Sequence, residues 1–131
     1  MSKATPQYLK EDQGRLPHKV PAPLLEDIDQ KCGKHLPTPR KKVFLELILT
    51  MGMDAYENKV KLSDPLIGCE EEDCEERKIH NYMDIKVVNR FSKLLESHSP
   101  QPMAKGFLEL ILNLGIRAYE REYTIYGFKR D

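Results

Sequence analysis

The chain has 131 residues, a length that sustains one hydrophobic core but not two independent ones. Lysine plus arginine and aspartate plus glutamate number 21 each, so the formal net charge is zero, which argues against a strongly basic, non-specific nucleic-acid binder. No run of about 18 uncharged apolar residues is present, so no membrane span is expected.

Residues 1–14, MSKATPQYLKEDQG, are polar and mixed, with no apolar segment of the kind a secretory signal needs, and read as a flexible N-terminal arm. Residues 15–20, RLPHKV, alternate. Leu16, His18 and Val20 fall on one face; Arg15, Pro17 and Lys19 fall on the other, the signature of a short strand. Residues 23–33, PLLEDIDQKCG, carry apolar side chains at Leu24, Leu25, Ile28 and Cys32, which is helical spacing. A turn comes after it with His35, and residues 31–42, KCGKHLPTPRKK, hold five Lys/Arg and no acid, a basic patch that the zero net charge conceals.

A longer helix comes next. Thr38-Pro39 fits a capping residue followed by proline in the first helical position. From Val43 to Met53 only Glu46, Thr50 and Gly52 interrupt the apolar side chains, so this helix is expected to be buried on most of its surface.

Residues 58–77 form a linker after this helix. Asp64-Pro65 and Gly68 mark turns, and Glu70 to Glu76 holds six acids in seven positions, read as a solvated loop. Cys69, Cys74 and His80 have the spacing C-x4-C-x5-H. Zinc takes four ligands in a structural site, and Cys32 or His35 would have to complete the set. With no CxxC knuckle, surface thiols are the expected state, and no metal or other cofactor is anticipated.

From here the chain repeats itself. Residues 35–57, HLPTPRKKVFLELILTMGMDAYE, and residues 98–120, HSPQPMAKGFLELILNLGIRAYE, match at 14 of 23 positions at an offset of 63 without a gap. The offset extends upstream. Residues 86–96, KVVNRFSKLLE, carry Val87, Val88 and Phe91 where the first copy has Leu24, Leu25 and Ile28, and residues 78–83, KIHNYM, match RLPHKV, with Lys78, His80 and Tyr82 opposite Ile79, Asn81 and Met83. The second long helix is expected to begin near Ser99-Pro100 or Gln101-Pro102. One unit cannot cover such an apolar helix; two can, by packing their FLELIL segments together about a pseudo-twofold axis. Gly52 and Gly115 suit a close helix crossing.

Several polar residues of the repeat have plain structural readings. His35 and His98 satisfy backbone groups at the turns or cap the short helices, phosphate contact being the alternative. Tyr56 and Tyr119 pack with solvent-reaching hydroxyls. Glu46 and Glu109 face solvent or pair with Lys42 and Lys105 four residues back. Tyr123, Ile125 and Phe128 in the tail, 122–131, add a short strand or cover the core.

Strand, short helix, turn and long buried helix, used twice, resemble the ribbon-helix-helix family of DNA-binding proteins over about residues 15–57 and 78–121. The resemblance implies a mainly α fold of tandem duplicated (β)αα units: an arm at 1–14, then a single pseudo-dimeric domain at 15–131, with repeats 15–57 and 78–121, an acidic linker at 58–77 and a tail at 122–131. It implies that the two strands pair into an antiparallel ribbon entering the major groove, with Arg15, Lys19, Lys78, His80 and Tyr82 facing outward. It implies phosphate contacts near the starts of the long helices, at Thr38, Arg40 and Lys41 and at Ser99 and Gln101. Two features depart from the family: Pro17 interrupts the first strand, and the second turn, ESHSPQP, lacks the glycine that Gly33 supplies in the first.

The function implied is a cytoplasmic transcriptional regulator, or a DNA-processing accessory factor of a plasmid or mobile element, binding double-stranded DNA and self-associating on it. The alternative is a non-enzymatic protein-interaction module, an adaptor, antitoxin-like partner or inhibitor, on a tandem helical-hairpin scaffold. No Gly-rich phosphate loop, GxSxG or HExxH motif suggests an enzyme.

Overall fold

The computed structural model describes residues 13–61, 67, 74–80, 82–98 and 100–123. The described residues are mainly helical, with four helices and two short antiparallel ladders. In chain order they are β1 (Gln13–Gly14), β2 (Lys19–Pro21), α1 (Ala22–Lys34), α2 (Lys41–Glu57), β3 (Glu76–Lys78), β4 (Met83–Asp84), α3 (Ile85–Glu96) and α4 (Ala104–Glu122). No helix among them is long and apolar enough to cross a membrane. The arm up to residue 12, most of the linker including the acidic run 70–73, Ser99 and the tail beyond Tyr123 lie outside the described residues.

The short helices bury the stripe that their spacing announces. Leu24, Ile28 and Cys32 line the inner face of α1, and Phe91 and Leu95 that of α3. Their starts differ. Asp84 precedes α3 and its side chain accepts the Lys86 N–H at 2.8 Å. Pro21 precedes α1 and offers no such cap; there the Ala22 N–H donates instead to the Glu75 carbonyl at 2.9 Å.

The long helices α2 and α4 make the most extensive contact in the molecule. Phe44, Ile48, Leu49 and Met53 of α2 meet Leu108, Ile111, Leu112 and Ile116 of α4, all almost fully buried. Burying each such side chain contributes roughly 1.5–3 kcal/mol. Several contacts between the copies come in pairs, each with a counterpart 63 residues on. A Cβ placed on Gly52 would land on the Ile111 carbonyl oxygen; one placed on Gly115 would land on the Ile48 carbonyl oxygen. The two glycines are therefore what lets the backbones cross.

The same reciprocity holds at the helix ends. His35 Nδ1 and the Tyr119 hydroxyl are 2.5 Å apart, and His98 Nε2 and the Tyr56 hydroxyl 2.6 Å. Phe44 meets Tyr119 edge-on at 5.1 Å between ring centroids, and Phe107 meets Tyr56 at the same separation. These pairs correct part of the sequence reading. The His35 backbone N–H caps α1 on the Lys31 and Cys32 carbonyls, as the turn reading expects, while the histidine rings meet the tyrosines; the tyrosine hydroxyls do not simply reach solvent, because each ring is inserted against the other copy. Burial raises the Tyr119 hydroxyl above the usual tyrosine range.

Both long helices begin later than proline placement suggests. Arg40 and Met103 are the residues preceding α2 and α4, and neither provides a side-chain cap. The segments with Pro37 and Pro39, and with Pro100 and Pro102, stay outside the helices, with bends at 35–37 and 100.

The repeated glutamates and lysines also depart from expectation. Glu46 is half-buried and accepts the Asp84 N–H at 3.2 Å, while Lys42 donates to Gln13 Oε1 at 2.7 Å rather than pairing with Glu46. In the second copy Lys105 pairs with Glu76. Two linker features complete the scaffold. Asn113, fully buried on α4, accepts the Ile67 N–H at 2.7 Å and donates to the Ile67 carbonyl at 3.2 Å, so its amide holds the linker as a strand neighbour would. Cys74 is disulfide-bonded rather than a surface thiol, whereas Cys32 is free and buried.

Candidate nucleic-acid interface

The two ladders share one register. Gln13 pairs with Asp84 and Gly14 with Met83; Lys19 pairs with Lys78, Val20 with Arg77 and Pro21 with Glu76. Counting five residues forward from Gly14 and five back from Met83 arrives at Lys19 and Lys78. The two ladders thus continue one antiparallel path, and residues 15–18 carry no strand hydrogen bonding between them. Continuous strands over 15–20 and 78–83 are not what forms. Pro17 sits at the middle of the path and has no N–H to give to a ladder.

The alternation read from the sequence nevertheless sets the faces. Leu16, Val20, Ile79 and Met83 are buried, and they anchor the segment on the helices. Arg15, Lys19, Lys78 and His80 are exposed. Tyr82 is the exception among the expected outward residues. It is half-buried, and the Arg15 guanidinium lies over its ring at 5.5 Å from the centroid, a cation–π arrangement. The register predicts this contact, since Arg15 and Tyr82 are the next pair after Gly14 and Met83.

Lys19 and Lys78 stand directly opposite each other on the exposed face. Like charges so placed destabilise a strand pair unless an anion joins them. Among the described residues neither lysine has an ion-pair partner. Arg77, beside Lys78, is not among the expected residues because its position falls in the linker. It is engaged by Glu75 at 3.2 Å and Glu26 at 3.6 Å, and its pairing with Glu75 lowers that carboxyl below its ordinary range.

The expected phosphate contacts divide by copy. Thr38 and Arg40 are exposed in the connection before α2, and Lys41 opens that helix with its Nζ 3.9 Å from Asp29. Lys41 lines a cleft together with Lys19, Lys78 and His80; Thr38, Arg40 and Arg15 stand outside it. Gln101 is exposed before α4, where Met103 occupies the place of Arg40, and Ser99 lies outside the described residues. The basic helix start is therefore stronger in the first copy: only Lys105, paired with Glu76, stands at the start of α4. Cys74, being disulfide-bonded, offers no thiolate for a metal, and no group of three or more metal-ligating side chains occurs among the described residues. Neither family models, nor curated proteins, nor solved structures yield a match to this chain.

Proposed function

We propose that this chain is a double-stranded-DNA-binding protein of the ribbon-helix-helix kind, both copies lying in one polypeptide about a pseudo-twofold axis. It acts as a transcriptional regulator or DNA-processing accessory factor, and its strand pair enters the major groove. The observation that carries the reading is the exposed Lys19–Lys78 pair, two cations held face to face on a short antiparallel ribbon with Arg15 and His80 beside them. Phosphate or a guanine edge relieves that repulsion by direct pairing, where water and salt only screen it. The reciprocal glycine crossing and the crossed His–Tyr pairs support the pseudo-dimeric arrangement that such a ribbon needs.

The test is duplex binding followed by fluorescence anisotropy across a salt series. A fall in affinity that is linear in the logarithm of salt concentration supports the reading, and no binding to any duplex at low salt ends it. On a selected site, Arg15→Ala and Lys19→Ala are expected to flatten sequence preference. Arg40→Ala and Lys41→Ala are expected to weaken all duplexes alike.

A further inference from the structure

The cleft that Lys41 shares with the ribbon differs in kind from a DNA-facing surface. It has a volume of about 450 Å³, within the range of small-molecule sites. Its floor is apolar, made by Leu25, Ile28, Cys32, Phe44, Leu45 and Ile79. Its rim is cationic: Lys19, Lys41, Arg77 and Lys78, with His80, against the single acid Asp29. The Asp29–Lys41 contact is long and both side chains are exposed, so it holds Lys41 only weakly.

The second copy explains why the cleft is open. At the offset of 63, Phe91 stands for Ile28 and fills the space with its ring 5.5 Å from Phe107. Ala104 stands for Lys41 and Tyr82 for Lys19, while Arg15 stands for Lys78 and lies over the Tyr82 ring, so one of the three lysine positions keeps a cation. Gly14 stands for Arg77, and Ile85 and Val88 close directly onto it. One scaffold thus carries a packed version with a single rim cation and an open version with several.

We propose that this cleft binds a small organic anion with an apolar body, the body on the Ile28–Phe44–Ile79 floor and the acid group among Lys19, Lys41 and Lys78. Three neighbouring cations over an apolar floor match such a molecule; they repel a cationic one and give an uncharged one no charge-assisted bond. The ligand is held non-covalently. The Cys32 thiol donates to the Pro39 carbonyl at 3.5 Å, and burial raises it, so it stays protonated and unreactive. The site shares Lys19, Lys41, Lys78 and His80 with the DNA reading but does not depend on it, because a chain that binds no duplex can still bind this ligand.

The experiment titrates the full chain with 8-anilinonaphthalene-1-sulfonate, an aromatic body bearing one sulfonate, followed by fluorescence and calorimetry. One equivalent is expected to bind. Ile28→Phe, which installs the side chain of the second copy, is expected to weaken it at least tenfold, and Lys41→Ala several-fold. The uncharged N-phenyl-1-naphthylamine is expected to bind at least tenfold less tightly. Affinity unchanged by Ile28→Phe in a folded variant, or equal affinity for the uncharged probe, overturns the proposal. Should Ile28→Phe lose its circular-dichroism signature, Lys41→Ala decides alone, because this exposed side chain is not part of the core. Retained affinity in that variant is then the overturning result.

Discussion

Glu46 and Glu109 occupy the same place in the two FLELIL segments, yet their surroundings differ. Glu46 accepts a backbone N–H from Asp84 and has the neutral Gln13 near its lysine. At the place of Asp84 the first copy has Pro21, which has no N–H to offer, and at the place of Gln13 the second copy has Glu76. Glu109 therefore sits without the backbone donor that Glu46 enjoys and with a second carboxylate close by. Burial first, and Glu76 after it, raise Glu109 above the ordinary carboxylate range, while Lys105 opposes the rise. The comparison separates two kinds of position. Contacts made between the duplicated long helices stay paired. Those made to the strands and the short helices have diverged, and the divergence puts the open cleft and the cationic ribbon residues on one side.

The largest expected effect probes the part that has not diverged. Gly52→Ala and Gly115→Ala each drive a methyl group into a backbone carbonyl, 2.9 Å from the carbonyl carbon, where no side-chain rotation relieves it. Each is expected to cost about 3 kcal/mol or more, measured by urea unfolding, and the two losses are expected to be alike. A loss under about 1 kcal/mol in either would mean that the helices separate freely at the crossing, and the equivalence of the copies would fail there.

The crossed tyrosines come next, and they sharpen the comparison. Tyr119 is buried and its loss leaves His35 Nδ1 without this partner, so Tyr119→Phe is expected to cost about 1–2 kcal/mol. Tyr56 is only half-buried, water can replace its hydroxyl at His98, and Tyr56→Phe is expected to cost about half as much. Equal losses would show that the exposure difference carries no energy.

Much of this is legible in the sequence, and where it is not the reason is physical. Periodicity places the short helices at 23–33 and 86–96, within a residue or so of Ala22–Lys34 and Ile85–Glu96, because burial of one stripe is a local pattern. Gly52 and Gly115 announce the crossing because only a close backbone approach favours glycine in so apolar a helix. The starts of α2 and α4 are harder to place: Thr38-Pro39 and Gln101-Pro102 have the form of a cap, yet Arg40 and Met103 are the residues that precede the helices. The His–Tyr pairs and the Asn113 clasp on Ile67 join residues 42 to 84 positions apart, and no local pattern encodes them. The cleft stands in plain view as substitutions at the offset, Ile28 for Phe91 and Lys41 for Ala104, but their meaning depends on the packing of the ribbon above them. Of the expected ribbon residues, Arg15, Lys19, Lys78 and His80 are exposed as the alternation requires. Tyr82 is half-buried, with the Arg15 guanidinium over its ring.

The two glutamates give the smaller effects. Glu46→Ala removes the acceptor that the Asp84 N–H uses, a loss expected to be about 1 kcal/mol. Glu109 is expected to behave oppositely. Its carboxyl is raised in the folded chain, so the folded state holds that proton more tightly than the unfolded one. The stabilisation this brings is fully present below the ordinary carboxylate value and is lost as pH climbs through the raised one. Near neutral pH the charged Glu109 is a residual cost, relieved only in part by Lys105. Glu109→Gln keeps the shape and removes the charge. It is expected to raise stability at pH 7 by less than about 1 kcal/mol, with the gain vanishing in acid where the native carboxyl is protonated. Urea midpoints for the two proteins across that pH range check it. A gain that persists unchanged into acid would show that charge is not the cause, and a loss at pH 7 would mean that Glu109 has a favourable partner of its own, as Glu46 does.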